Sequence, residues 1–434
     1  MEIKGRREVR LRDRGVDLSR FRMNITSMEA IRKPNNSEYF GKFRNLVLIS
    51  CLGGLFTSCG GPENPENSAE SEENSTNLLS DWPLFRGCPE LQGVSSEMLS
   101  APLDLVWTHE SAVEEGKRRA PIEASAVVKD GIVYVGTLGS EFLALNLQDG
   151  SEVWKVETEG PTSAPAAVYD GIVYFGDTYG YVYALDAETG AQVWQYETDG
   201  KIEGGVNILI SEEAARVFIG SHDYFLYCFD AKSGEILWKE ETGNYIVSTP
   251  SIIKSGGSES VSFGGCDGIL YILPADGRGE GQEFEVGSYI ANSAAVRDGI
   301  AYLAHNGGEI VAIEVSTGEE VWKIPTGVEY TASPAVDENH LFVAGPDKRL
   351  VAYDRVSGEE FWEFLAPRSL DASPVISGDT IWQGGMDGRL YAVSRTDGSE
   401  LWNFEVGSQI KASPALSRGT LVVCGQDGVV YAFR

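Results

Sequence analysis

Nowhere in this chain of 434 residues do two cysteines stand side by side. Its six cysteines form no C-x-x-C pair and no Cys/His spacing of the kind that holds a metal. Free, buried thiols are therefore the expected state of Cys88, Cys228, Cys266 and Cys424. Histidine is scarce too: His109, His222, His305 and His340 are the only four. They are too dispersed to converge on a metal or a catalytic proton. No nucleophile elbow, Walker loop or zinc-binding helix motif occurs. A long apolar run is also missing. The stretch Leu46 to Phe56 has eleven residues, against the ~20 a membrane-spanning helix needs. Positive charge is confined to one end. Residues 1–58 carry 12 Lys/Arg and 6 Asp/Glu, leaving 23 against 59 in the remainder. So acidic a body repels phosphate backbones, which excludes nucleic-acid binding.

What the amino-terminal end does have is an export pattern. Lys42 and Arg44 precede the short apolar stretch, and Thr57-Ser58-Cys59 follows it. Small residues ending in cysteine resemble the bacterial lipobox, with Phe56 where that motif usually has Leu. The resemblance implies acylation of Cys59 and an export signal over 1–58. The first forty residues are long and charged for such a signal, so translation is expected to begin at Met23 or Met28. Residues 59–80 then contain five glutamates, two prolines and no basic residue, the composition of a disordered stalk.

The body repeats. One unit reads Ser163-Ala-Pro-Ala-Ala-Val, Asp170-Gly171, Ile172 to Gly176, Tyr179-Gly180, Tyr181 to Asp186, Thr189-Gly190 and Gln192-Val-Trp194. Four short runs rich in Val, Ile and Tyr alternate with turn residues, which predicts four strands per unit. Asp267-Gly268, Asp387-Gly388 and Asp427-Gly428 read as two-residue type I′ hairpins. Asp186 is placed to cap the turn toward Thr189-Gly190. Third-strand cores begin eight times, at Phe142, Tyr181, Phe225, Ile269, Ile310, Leu350, Leu390 and Val429. Fourth strands are marked by Trp154, Trp194, Trp238, Phe284, Trp322, Trp362 and Trp402, one too few. The missing one is Trp107, ahead of the first unit. The expected fold is thus all-β: an eight-bladed β-propeller of four-stranded antiparallel blades over residues 105–434. The strand around Trp107 completes the last blade, which removes an open sheet edge.

The spacing Ala-x-Asp-x-x-x-Gly-x-x-x-Trp, complete at Ala184, Asp186, Gly190, Trp194 and at Ala352, Asp354, Gly358, Trp362, resembles the tryptophan-docking motif of pyrroloquinoline-quinone (PQQ)-type propellers. Asn146, Glu314 and Ser394 replace its Asp in other units, and Cys228 its Ala. Asp81-Trp82-Pro83-Leu84-Phe85-Arg86-Gly87 resembles a segment found ahead of such propellers, and residues 81–104 are expected to form a clasp whose aromatics pack on the ring. The family has an enzymatic branch, the quinoprotein dehydrogenases, in which PQQ lies between a Trp floor and a disulfide of adjacent cysteines. This chain lacks those cysteines. Signal, lipid cysteine, stalk and eight blades look like the other branch, the BamB-like lipoproteins that support outer-membrane β-barrel assembly. That branch implies a lipid-anchored, non-catalytic scaffold without cofactor or metal. It implies a monomeric ring on the periplasmic side of the outer membrane, with protein partners. An envelope ligand or glycan-binding propeller is the alternative, and a PQQ dehydrogenase a further one.

Variation against the repeat marks a candidate partner-binding rim. Immediately before the inner strands the equivalent positions read Glu123, Thr162, Glu203, Val247, Ala291, Thr331, Asp371 and Lys411. Asp371, Lys411 and Glu123 become neighbours when the ring closes. One position earlier, Ile122, Ile202, Ile246, Ile290, Tyr330, Leu370 and Ile410 suggest an apolar border to those charges, as at a docking surface. Ser333, Ser373 and Ser413 recur within Ala-Ser-Pro, which makes them structural.

Overall fold

The computed structural model describes residues 81–434, except 114–115, 117, 212–213 and 256. The export signal, Cys59 and the stalk lie outside the described residues. Among the described residues no helix is long and apolar enough to cross a membrane.

Eight four-stranded antiparallel blades follow one another, and the short strand Val94–Ser95 adds a fifth, parallel strand to the seventh, beside Val375–Ser377. Blade 1 is built from Val127–Lys129, Ile132–Gly136, Glu141–Asn146 and Glu152–Glu157. Blade 2 repeats this with Ala167–Tyr169, Ile172–Gly176, Tyr181–Asp186 and Gln192–Glu197. Six more follow in order, and the first strands of successive blades touch to form the inner circle. In blade 8, Ala415–Ser417, Thr420–Cys424 and Val429–Phe433 come from the carboxyl end, and Leu105–Glu110 supplies the fourth strand. Trp107 lies opposite Ala432 and Glu110 opposite Val429. The predicted closure is therefore present.

The interior follows from alternation. Third strands read partly exposed at both ends with four buried residues between, as Tyr181–Asp186 does, because both faces of each blade are covered by neighbours. Each docking tryptophan reaches across to the next blade. Trp194 is 8% exposed, donates its indole N–H to Ala231 O at 2.9 Å and lies over Gly234, which has φ +73°. A Cβ on that glycine would come 2.7 Å from the indole, so this position needs glycine for both space and backbone conformation. Asp186 accepts from Thr189 N at 2.8 Å and Thr189 Oγ1 at 2.7 Å, the cap its position predicts.

Two expectations change. The type I′ hairpins join first and second strands instead: Asp130-Gly131, Asp170-Gly171 and Asp298-Gly299 have positive φ at both residues. Asp267-Gly268, Asp387-Gly388 and Asp427-Gly428 close longer turns in which only the glycine has positive φ, and Gly268 N donates back to Gly265 O. There the aspartate acts on the third strand, Asp267 accepting from Tyr271 OH at 2.7 Å. The second change concerns Phe284. Strand register sets Gln282, not Phe284, opposite Ile272, where Cys228 and Ala312 oppose Trp238 and Trp322. Phe284 still lays its ring on Gly318, but from two residues further along.

The repeated serines do more than let the strands crowd. Main-chain N–H groups donate to the hydroxyl of the next blade at 2.8 to 3.1 Å: Gly205 to Thr249, Thr249 to Ser293, Ser293 to Ser333, Ser333 to Ser373, Ser373 to Ser413, and Ser413 to Ser125. The last link crosses the seam between the ends of the chain.

Residues 81–104 run along the inner strands. Trp82 O, Pro83 O, Pro89 O, Glu90 O, Gln92 O and Gly93 O accept from Val128, Val168, Ile252, Val296, Val336 and Ile376 N–H groups at 2.7 to 3.0 Å. Asn207 Nδ2 also donates to Pro89 O, and the Glu97 carboxylate accepts from Arg418 N and Gly419 N. The segment thereby engages every blade. Its Arg86 is 1% exposed and donates to Pro374 O at 2.6 Å and Pro334 O at 2.7 Å. Burial without a counter-ion lowers the guanidinium pKa to about 9, so it remains charged at neutral pH. Inner-edge N–H groups, and the Pro334 and Pro374 carbonyls, that would otherwise be orphaned are thus satisfied by the chain's own amino-terminal segment.

Candidate partner-binding rim

In an antiparallel blade the second-to-third strand turns and the inter-blade loops share one end of the ring. The rim positions lie there. Lys411 Nζ meets Glu123 Oε2 at 2.7 Å across the chain seam, as ring closure requires. Glu203 Oε2 lies 3.0 Å from His222 Nε2. This hydrogen bond holds the Glu203 carboxyl below its usual range, with smaller help from Lys201 and Lys411. Asp371 is half-buried and beside the pair by position, without an ion pair to Lys411 among the described residues. The mouth therefore presents a surface of mixed sign.

The apolar border is not exposed. Ile122, Ile202, Ile246, Ile290, Leu370 and Ile410 are fully buried, and Tyr330 is 4% exposed. The reason is local packing. Ile202, Ile246, Ile290 and Ile410 press on glycines of the preceding blade, Gly176, Gly220, Gly264 and Gly384, where a Cβ would lie 2.2 to 2.4 Å from the isoleucine. Tyr330 is therefore a packing residue and not a contact offered to a partner. Glu123, Glu203 and Lys411 keep solvent access.

Sequence reasoning missed an aromatic sector on the same end. Tyr179, Tyr224, Tyr245 and Tyr289 are exposed and come from the loops of blades 2 to 5. His222 stacks on Tyr245 at 4.6 Å, and Tyr224 lies 5.3 Å from the same ring. Tyr224 has φ +77°, at a turn position that Gly180, Gly268, Gly308, Gly388 and Gly428 hold in five other blades and Ser140 and Lys348, also with positive φ, in the remaining two. A bulky residue in that conformation is strained, and strain of this kind gathers at functional surfaces.

As a cofactor site the mouth is a poor fit. Two of its carboxylates, Glu123 and Glu203, are engaged by Lys411 and His222, and the docking indoles stand between blades, donating to main-chain carbonyls. No group of three or more His, Cys, Asp or Glu side chains that could hold a metal occurs among the described residues. Quinone chemistry with a calcium ion therefore finds no matching residue set at this mouth.

A family model described as outer membrane protein assembly factor BamB matches residues 104–206, 178–255 and 267–434. The chain belongs to this family. The BamB match reaches into all eight blades and leaves out residues 256–266, which hold the second strand of blade 4. Among solved structures, BamB from Moraxella catarrhalis is similar at 20% identity and a TM-score of 0.64, covering 77% of this chain and 98% of that one. The quinohemoprotein alcohol dehydrogenase from Comamonas testosteroni is similar at 16% identity and a TM-score of 0.67, with 82% and 80% covered. A europium-containing methanol dehydrogenase is similar at 13% identity and a TM-score of 0.66, with 82% and 98% covered. At these identities the likeness shows the propeller fold, which enzymes and scaffolds share. No curated protein matches the sequence.

Proposed function

We propose that the protein is a lipid-anchored, non-catalytic scaffold of the bacterial cell envelope. It docks a protein partner on its mouth, in the service of outer-membrane β-barrel assembly. The observation that carries this is the BamB-family match over most of the ring. It is supported by a mouth of ion pairs and exposed phenols where an enzyme of this fold would need a cofactor set. Tyrosines beside charges suit a protein interface, where aromatic anchors provide much of the energy.

The test is capture of partners from solubilised envelope with the full-length lipoprotein. Barrel-assembly proteins should co-purify with the wild type and be lost with Lys411→Glu, which places a second carboxylate beside Glu123. An exposed pair contributes less than about 1 kcal/mol, so the thermal midpoint should scarcely move. Recovery of polysaccharide in place of protein would favour a glycan-binding propeller. The dehydrogenase neighbours give a second reading one observation. Titration with PQQ, followed by tryptophan fluorescence, would reveal binding if that reading held.

The tether has its own test. Cys59→Ser is expected to yield a folded protein released from the membrane fraction. Each buried methylene contributes about 0.8 kcal/mol, and several acyl chains are needed for stable anchoring. A serine variant that still sediments with membranes would place the anchor elsewhere.

A further inference from the structure

Inside the ring one positive charge stands alone. Arg86 lies in the amino-terminal segment between a contact on blade 2, Pro83 O with Val168 N, and one on blade 4, Pro89 O with Ile252 N. Its guanidinium nevertheless donates to Pro334 O of blade 6 and Pro374 O of blade 7. In a ring of eight, those blades face blades 2 and 3 across the axis, so Arg86 occupies the centre.

Its surroundings offer no counter-charge. Arg86 is 1% exposed, and no carboxylate pairs with it among the described residues. Burial pushes the neighbouring Cys88 thiol up to about 11, which keeps it neutral. Of the five guanidinium N–H groups, one on Nη1 and one on Nη2 serve the proline carbonyls. Nε is buried without a partner. A buried charge left uncompensated is strongly destabilising.

Hydroxyl groups stand around it. Pro334 and Pro374 directly follow Ser333 and Ser373, two members of the serine circuit. Ser125, Thr249, Ser293, Ser333, Ser373 and Ser413 each accept a main-chain N–H, yet their own O–H groups meet no acceptor among the described residues. All six keep 3 to 7% exposure, so a space that admits a water molecule lies against them.

We propose that the axis of the ring is a binding site for a small monovalent anion such as chloride, held between the Arg86 guanidinium and the hydroxyls of the serine circuit. Donors without acceptors converge there, and Arg86 repels any cation. One guanidinium balances one negative charge, whereas a divalent anion would leave a buried charge uncompensated. The ion fastens residues 81–104 to blades 6 and 7, and ring stability becomes linked to its concentration. With a net charge of −30 the outer surface holds anions off, so a saturable chloride response points to the interior.

The test uses the purified full chain. Thermal midpoints are read as sodium chloride replaces sodium gluconate, a bulky anion, at constant ionic strength. The midpoint is expected to rise by a few degrees with chloride and then level off. In crystals grown with bromide in place of chloride, an anomalous-scattering peak is expected on the axis, beside the Arg86 guanidinium and Ser373. Arg86→Met removes the charge and should abolish both the chloride response and the peak. If Arg86→Met does not fold, the bromide map of the wild type decides. Equal midpoints in chloride and gluconate, a folded Arg86→Met that keeps the response, or bromide found only on the outer surface would overturn the proposal.

Discussion

Removing residues 1–108 is expected to destabilise the ring far more than removing residues 1–80, although the second cut takes only 28 more residues. The shorter cut leaves every described contact in place. The longer one strips the inner-edge hydrogen bonds made by residues 82–93, the two Arg86 bonds to buried carbonyls and the closing strand opposite Val429–Phe433. A buried group left without its partner costs about 1–3 kcal/mol, and loss of Trp107 adds about 3–5 kcal/mol. Together these rival the whole stability of a typical domain, about 5–15 kcal/mol. Val429–Phe433 would become an uncovered apolar edge, so aggregation should accompany unfolding. Removing 1–104 separates the two causes, because it takes the inner segment and spares Leu105–Glu110. Coincident thermal melts for the 1–80 and 1–108 truncations would sink the closure argument.

Trp194→Ala is expected to cost about 3–5 kcal/mol, the range for large aromatic-to-alanine changes in a core. Its ring is packed between Tyr174 at 5.8 Å and Phe229 at 5.7 Å; Ala231 O would keep the donor from Tyr174 OH at 3.0 Å, so the cost is mainly one of lost packing. Phe284→Ala should cost clearly less. Phe284 is only half-buried, and its ring has no group to form a hydrogen bond across the interface. Denaturant midpoints of the two variants, compared at equal slope, decide this. An unchanged midpoint for Trp194→Ala would mean that the indoles do not hold the blades together.

The sequence alone determined the blade number, the four-strand unit, the closing strand and the identity of most docking residues. All of these rest on local periodicity repeated eight times, and repetition averages out the ambiguity of any single unit. Trp107, standing without a unit of its own, was enough to specify closure. Glu123 beside Lys411 was equally legible, because once the ring closes, equivalent positions in adjacent blades become neighbours.

Tertiary structure decided what depends on facing surfaces. Tyr330 and the isoleucines beside the rim look like an exposed border in sequence, but they are buried: Ile202, Ile246, Ile290 and Ile410 fit because glycines of the preceding blade leave room for them, and Tyr330 lies against Gly345 of its own blade. For the four isoleucines, no residue in their own unit carries that information. Phe284 reads as a replacement for tryptophan by spacing, yet strand pairing gives that place to Gln282, since register is fixed by cross-strand contacts and not by counting along the chain. The serine circuit and the course of residues 81–104 inside the ring were likewise hidden. Both consist of hydrogen bonds between main-chain groups and distant partners, and every main chain offers the same donors and acceptors until the fold brings particular ones together.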